Sequence, residues 1–281
     1  ATLRPHLKFL YICFNVSVRE EAQRTFPSNV TCKNAHQLAF GACGVRYRHK
    51  LKEEFRAEDL LSSKVFDSLV PAGTKAHDRL EVVEVCLQTL HNFLNSAAGD
   101  VTGEHLPLPL PKALQEGTLT AAAVMETARV LWYRMRDIAD EEVKMTHGGY
   151  LKLYSLSKPK LPYNVVLLDE AQDCNPAIAE IVASQSCARI LVGDKHQSIY
   201  GFLGAQDVMR DGRGGGSTEE RARVGGIIFW RQLTRSFRFG PNIADVANFV
   251  LSRFKGEPRP LLGCGEHEGL IIADPDAIAG A

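Results

Sequence analysis

Two short apolar runs, Val165-Val166-Leu167-Leu168 and Ile190-Leu191-Val192, each lead into an acidic residue, and this pairing constrains the fold more than any other feature. Consecutive apolar residues without alternation read as strands buried on both faces, as in a parallel sheet covered by helices. The first run passes directly into Asp169-Glu170-Ala171-Gln172-Asp173, the second into Gly193-Asp194-Lys195-His196-Gln197. In an open α/β sheet, ligands bind in the crevice beyond the carboxyl ends of the strands. Asp169 is therefore a candidate to hold a hard cation such as Mg²⁺, which takes oxygen ligands and bridges substrate phosphates. Glu170 is a candidate to orient or deprotonate a water. The competing reading is a helix-capping pair after an ordinary strand.

The Asp169-Glu170 pair looks like the Walker B element of a nucleoside triphosphatase. Gln197 lies beyond the neighbouring strand, where its amide would reach a terminal phosphate. Tyr200 and Phe202 follow at once, as base-stacking platforms or as buried core aromatics. Together with Ser236-Phe237-Arg238-Phe239, these stretches resemble motifs II, III and IV of the UvrD-type superfamily 1 helicases. The match is closer still to the F-box DNA helicase branch, whose segments are resembled by Phe9–Asn15, Phe26–Lys33, Met145–Leu153 and Asp173–Ile178. The similarity runs in register from about Phe9 to about Ala247.

The resemblance implies a division of labour. Asp169 would bind Mg²⁺, Glu170 would activate water, and Gln197 would contact the γ-phosphate of ATP. Arg238 would supply charge as the ATP splits, a task suited to a guanidinium that stays charged and meets phosphate oxygens bidentately; otherwise it is a surface arginine between two phenylalanines. Asp194 and Gln172 would couple sites, and Asp173 would cap the helix opened by Pro176. Phe14, Asn15, His36, Tyr200 and Phe202 match positions that touch single-stranded DNA, where aromatics stack on any base. His147, beside Gly148-Gly149, is a further DNA candidate or a turn histidine. The parent activity implied is ATP-driven translocation on single-stranded DNA, 3′ to 5′, unwinding duplexes in recombination and repair, in the nucleus. An F-box outside this chain would recruit ubiquitin-ligase components.

Three departures from the family pattern bear on DNA contact: Val16 in place of Lys, Leu203 in place of Arg, and Asn34-Ala35 in place of Thr and an aromatic. No Gly-x-x-x-x-Gly-Lys-Ser/Thr stretch occurs. The phosphate-binding loop is expected upstream of Ala1 and the later motifs downstream of Ala281, so the chain reads as the middle of a helicase. In isolation it is expected to hydrolyse ATP poorly.

The formal net charge is +0, so nucleic-acid affinity has to come from local patches. Seven cysteines stand singly with no Cys-x-x-Cys, which gives a zinc site little support and suits reduced core thiols. No apolar stretch approaches the ~20 residues of a membrane helix, and no membrane partner is expected.

The expected architecture is α/β, a RecA-like parallel sheet with an inserted helical subdomain. Residues 1–45 and 147–234 form the first RecA-like domain, 46–146 the helical insertion, and 235–281 the start of a second RecA-like domain. Phe9–Phe14 reads as a strand, Ser17–Glu20 as a capping box, and Asn29–Lys33 as a second strand. The basic run Arg46–Lys52 reads as helical, contacting phosphate or forming a solvated face. Helices are expected over Asp78–Asn95 and Ala121–Ile138, the latter burying Val124, Ala128, Leu131, Met135 and Ile138. Between them Leu106–Pro111 is an extended connector. A helix over Pro176–Ser184, a Gly-rich loop over Arg210–Gly226 and a strand over Ile227–Trp230 complete the reading. Two rival functions stay open. One is a non-catalytic single-stranded-DNA-binding or scaffold fragment. The other is a metal-dependent nuclease using Asp169, Glu170, Asp173 and Asp194.

Overall fold

The computed structural model describes residues 1–67, 69–70, 75–194, 196–197 and 231–266. The chain divides into two compact units, Ala1–Gly225 and Gly226–Ala281. In the first unit the strands are β1 (Phe9–Cys13), β2 (Val30–Asn34), β3 (Leu51–Lys52), β4 (Met145–Thr146), β5 (Val165–Leu168) and β6 (Ala188–Leu191). Four of them make one sheet in the order β2-β1-β5-β6, and every pairing is parallel. Ile12 lies between Lys33 and Leu168, and Leu168 faces Leu191. The carboxyl ends of the four strands are therefore nearly flush, so the residues that follow them share one edge.

The helices of this unit are α1 (Val16–Thr25), α2 (Ala35–Ala39), α3 (Ala76–Asn95), α4 (Lys112–Gln115), α5 (Ala121–Arg136), α6 (His147–Leu156) and α7 (Pro176–Ala183). Strand periodicity sorts β1 between two cores. Leu10 and Ile12 join Val166, Leu168, Val83, Leu90, Phe93, Leu131 and Met135 in the large core, while Tyr11 and Cys13 pack with Ala22 and Cys32 on the other face. Each fully buried aliphatic side chain contributes about 1.5–3 kcal/mol. The helices between residues 46 and 146 thus bury their apolar stripes in the same core as the sheet. Lys152 on α6 also lies in that core. Its Nζ donates to the Ser96 carbonyl (2.7 Å) and sits 4.2 Å from the Phe93 ring centre, and burial pulls its pKa down to about 8.

Several local expectations need correction. Asn15, not Ser17, caps α1: its Oδ1 accepts from the Val18 N–H, and the helix starts two residues early. Asn175 caps α7 by accepting from the Ile178 N–H, so Asp173 does not. The run after Arg46 is a 3₁₀ turn, Val45–Lys50, followed by β3 rather than a regular helix. Lys50 is buried because its Nζ donates to the Arg134 and Asp137 carbonyls at the end of α5, where a cation meets the negative end of the helix. Lys52 pairs with Asp59, which leaves Arg46 and Arg48 as the exposed arginines of the run. Helix α5 stops at Arg136, and Ile138 beyond it is exposed. Strand β6 is only partly buried, with Ile190 exposed, because it is the outermost strand of the described sheet. Leu106–Pro111 carries no helix or strand, in keeping with an extended connector. The Gly-rich stretch and Ile227–Trp230 lie outside the described residues.

The second unit, taken by itself, pairs β7 (Arg235–Ser236) with β8 (Leu262–Gly263) in parallel beside the helix Pro241–Lys255. Pro241 opens that helix and Gly256 closes it with φ 62°, a left-handed conformation that glycine adopts without a Cβ penalty.

Candidate functional site

Asp169 and Glu170 emerge at the carboxyl end of β5, in the middle of the sheet edge. The Asp169 backbone N–H donates to the Ile12 carbonyl, which ties it to β1. Both of its carboxylate oxygens have donors: the Tyr11 hydroxyl donates to Oδ2 and the Glu170 N–H to Oδ1 (3.1 Å). Glu170 takes a left-handed backbone, φ 49° and ψ 44°, which costs a side-chain-bearing residue about 1–2 kcal/mol. Such outliers concentrate at functional sites. The geometry turns the chain sharply at Glu170 before the 3₁₀ turn Ala171–Asp173.

Gln172 is buried and holds this turn to the next strand. Its Nε2 donates to Glu170 Oε2 (2.7 Å) and, more weakly, to Asp173 Oδ2 (3.4 Å), while its Oε1 accepts from the Asp194 N–H (3.0 Å). Backbone bonds reinforce the link, from Ala171 N–H to the Val192 carbonyl and from Val192 N–H to the Leu168 carbonyl. Asp194 in turn accepts from Gln197 Nε2 (2.9 Å). One amide side chain thereby joins Asp169-Glu170 to the Asp194–Gln197 element. Negative charge accumulates here: burial first, then Asp173, Asp169 and Glu170, push the Cys174 thiol up to about 12. Asn175 extends the polar path, donating from Nδ2 to Asn95 Oδ1 at the end of α3 (2.7 Å).

The donor chemistry fits Mg²⁺ as a substrate-bridging ion. Asp169 offers hard oxygens, each with a remaining lone pair, in a negative surrounding. Among the described residues no group of three or more His, Cys, Asp or Glu side chains could hold a metal by itself.

Phe14 and Asn15 follow β1 on the same edge, both exposed, although the Asn15 side-chain oxygen Oδ1 is occupied as the α1 cap. His36 and His147 come together from distant segments. Their ring centres lie 6.1 Å apart, each near the Tyr150 ring, which meets Phe40, over which the Arg48 guanidinium sits at 5.7 Å. His147 opens α6, and Gly149 sets that helix close: a Cβ there would fall 2.5 Å from the Met135 sulfur and 2.7 Å from the Met145 sulfur. Desolvation, then His147, lowers the pKa of His36. Arg238 lies in the second unit, exposed just past β7, with its N–H donating to Ser236 Oγ (3.4 Å). Tyr200, Phe202 and Leu203 lie outside the described residues. Tyr11 escaped the sequence reading; the available signal was a hydroxyl-bearing ring inside an otherwise apolar strand, whose polar tip needs a partner.

Residues 150–209, which contain the whole of this turn and its neighbour, match the UvrD/REP helicase N-terminal domain. The chain is a relative of the UvrD-type superfamily 1 helicases, near the F-box helicase branch. It is 38% identical over 273 residues to F-box DNA helicase 1 of Gallus gallus, covering 94% of this chain and 25% of that protein. It is 29% identical over 295 residues to F-box DNA helicase protein 1 of Schizosaccharomyces pombe, covering 100% of this chain and 32% of that protein. A shorter match, 31% over 93 residues, reaches ATP-dependent DNA helicase HMI1, mitochondrial, of Saccharomyces cerevisiae, covering 32% of this chain and 12% of that protein. The chain thus spans about a quarter to a third of the F-box relatives it matches. Among the described residues no helix is long and apolar enough to cross a membrane.

Proposed function

We propose that this UvrD-type chain is the central part of an ATP-dependent DNA helicase that moves 3′ to 5′ along single-stranded DNA and separates duplexes. The observation that carries the reading is the Asp169-Glu170 turn, strained at Glu170 and bonded through Gln172 to the Asp194–Gln197 element. In this reading Asp169 holds Mg²⁺ and Glu170 takes a proton from the attacking water. Gln197 meets the terminal phosphate, and Arg238 supplies charge as the ATP splits. If bound, Mg²⁺ held by Asp169 would supply positive charge against the phosphates as ATP splits. Phe14, Asn15, His36, His147, Tyr200 and Phe202 are the proposed contacts to single-stranded DNA. The cellular setting proposed is recombination and repair in the nucleus, with ubiquitin-ligase components recruited through an F-box elsewhere in the protein.

Strand displacement by the full-length protein tests this, with ATP and Mg²⁺, on duplexes carrying a 3′ or a 5′ single-stranded tail. Displacement of the 3′-tailed substrate alone, abolished in Asp169→Ala, is the expected result. Cleavage of the DNA with Mn²⁺ in place of unwinding would favour a nuclease, and DNA binding without turnover would favour a scaffold.

A further inference from the structure

We infer that Tyr11 is a positioning residue for the metal–nucleotide site, holding the Asp169 carboxylate in one orientation from the neighbouring strand. The inference rests on the reading of Asp169 as the metal-holding residue. A carboxylate on the short side chain of Asp169 can rotate, and a metal ligand that rotates loses affinity. Groups that hydrogen-bond a ligating carboxylate fix it, and their removal typically weakens metal binding by ~10–100-fold. Here the two oxygens are pinned from two directions. The Glu170 N–H approaches Oδ1 from within the turn, and the Tyr11 hydroxyl approaches Oδ2 from β1, 158 residues away in sequence.

Tyr11 is itself well held. Its backbone pairs with Cys32 on one side and Leu167 on the other. Its ring meets Phe26 edge-on, with centres 5.1 Å apart and planes at 90°. It belongs to the smaller core, on the face of β1 opposite Leu10 and Ile12, so the phenol emerges beside the end of β5 while the ring packs against α1. Each oxygen of Asp169 keeps a lone pair for an incoming cation. Phenylalanine at this position would fill the same space and leave Oδ2 without its protein donor.

The test uses the full-length protein with ADP present and Mn²⁺ as the probe, free Mn²⁺ being followed by electron paramagnetic resonance. Wild type, Tyr11→Phe and Asp169→Ala are compared, and the melting temperature of each is recorded with and without saturating Mn²⁺. Tyr11→Phe is expected to bind Mn²⁺ ~10-fold more weakly. Its rise in melting temperature on adding Mn²⁺ should shrink, and the Mg²⁺ concentration for half-maximal ATP hydrolysis should rise by a similar factor. Turnover at saturating Mg²⁺ should stay within about two-fold of wild type. Mn²⁺ affinity unchanged in Tyr11→Phe but lost in Asp169→Ala would overturn the role of Tyr11 alone. A drop in metal-free melting temperature with unchanged Mn²⁺ affinity would make Tyr11 purely structural and would also overturn it. Unchanged affinity in Asp169→Ala would instead remove Asp169 as the metal holder, and the inference with it.

Discussion

Two parts of the sheet edge are built on different plans. The turn after β5 is closed on itself: Asp169, Glu170 and Gln172 are bonded to β1, to each other and to the segment after β6. The surface around His36 and His147, beyond β2 and at the start of α6, is open, with rings packed on rings on residues that reach solvent. The first plan suits a reaction in which groups must already be in place when charge develops. The second suits a polymer whose bases differ, since stacking tolerates any sequence. Closed geometry concentrates energy in few residues; open geometry spreads it over many.

This contrast can be broken at either end. The largest effect is expected at Glu170. In the full-length protein, Glu170→Gln should cut DNA-stimulated ATP hydrolysis by ~10²–10⁴, the usual worth of a general base, while a fluorescent ATP analogue still binds. Turnover left intact would reduce the turn to a cap. Next comes Gln172. Replacing it with Leu leaves the part-buried Asp194 N–H and the Glu170 carboxylate without Gln172, and a loss of up to about 1–3 kcal/mol is expected, read as a lower denaturant midpoint. His147→Ala should show the opposite profile, with the midpoint nearly unchanged and single-stranded DNA affinity reduced by ~1–3 kcal/mol, whatever the base composition. If His147→Ala unfolds the protein and Gln172→Leu does not, the two plans have been assigned to the wrong regions.

Smaller effects sharpen the picture. Glu170→Gly should be more stable than Glu170→Ala by about 1 kcal/mol in thermal unfolding, because glycine alone enters the left-handed region without penalty. Equal stabilities would mean that the turn relaxes on substitution. The pH dependence at His36 is smaller still. Its folded pKa lies below the ordinary histidine value, so the unfolded chain takes up the proton first. The contribution of His36 is complete above about pH 6.5 and falls as the pH drops towards the lowered folded value. His36→Gln should flatten that part of the stability curve, and a curve identical to wild type would show that the crowding around His36 is not felt in solution.

What could be read from sequence, and what could not, follows from distance along the chain. The parallel sheet was legible because β1 and β5 are unbroken apolar runs, and the acidic turn because it abuts one of them. Helices α3 and α5 announced themselves through their spacing, but the end of α5 did not, since Ile138 continues the pattern into a segment that has left the helix. The α1 start is not decided by sequence, since Asn15 and Ser17 are both competent caps and only the backbone decides between them. The bond from Tyr11 to Asp169 spans two strands, and the grip of Gln172 on Asp194 depends on the register of β5 against β6. No local pattern contains either. Nor does glutamate advertise a left-handed backbone, which is commoner for glycine, asparagine and aspartate.

The single large core has a consequence for the history of the fold. Between β3 and β4 the chain leaves for some ninety residues of mostly helical path, which in a diagram resembles a detachable lobe. Yet Val83, Phe93, Leu131 and Met135 touch the same buried cluster as Ile12 and Leu168. Remove that path and α6, which shares this core with the sheet, loses the α3 and α5 surfaces it packs against. Amide hydrogens in α3, α5, β1 and β5 should therefore exchange by one shared opening event rather than in separate steps, as members of a single cooperative unit. Whatever length such a segment had when it first entered the chain, it is now a wall of the building, and loss of any large piece of it would be read by a cell's proteases as loss of the whole.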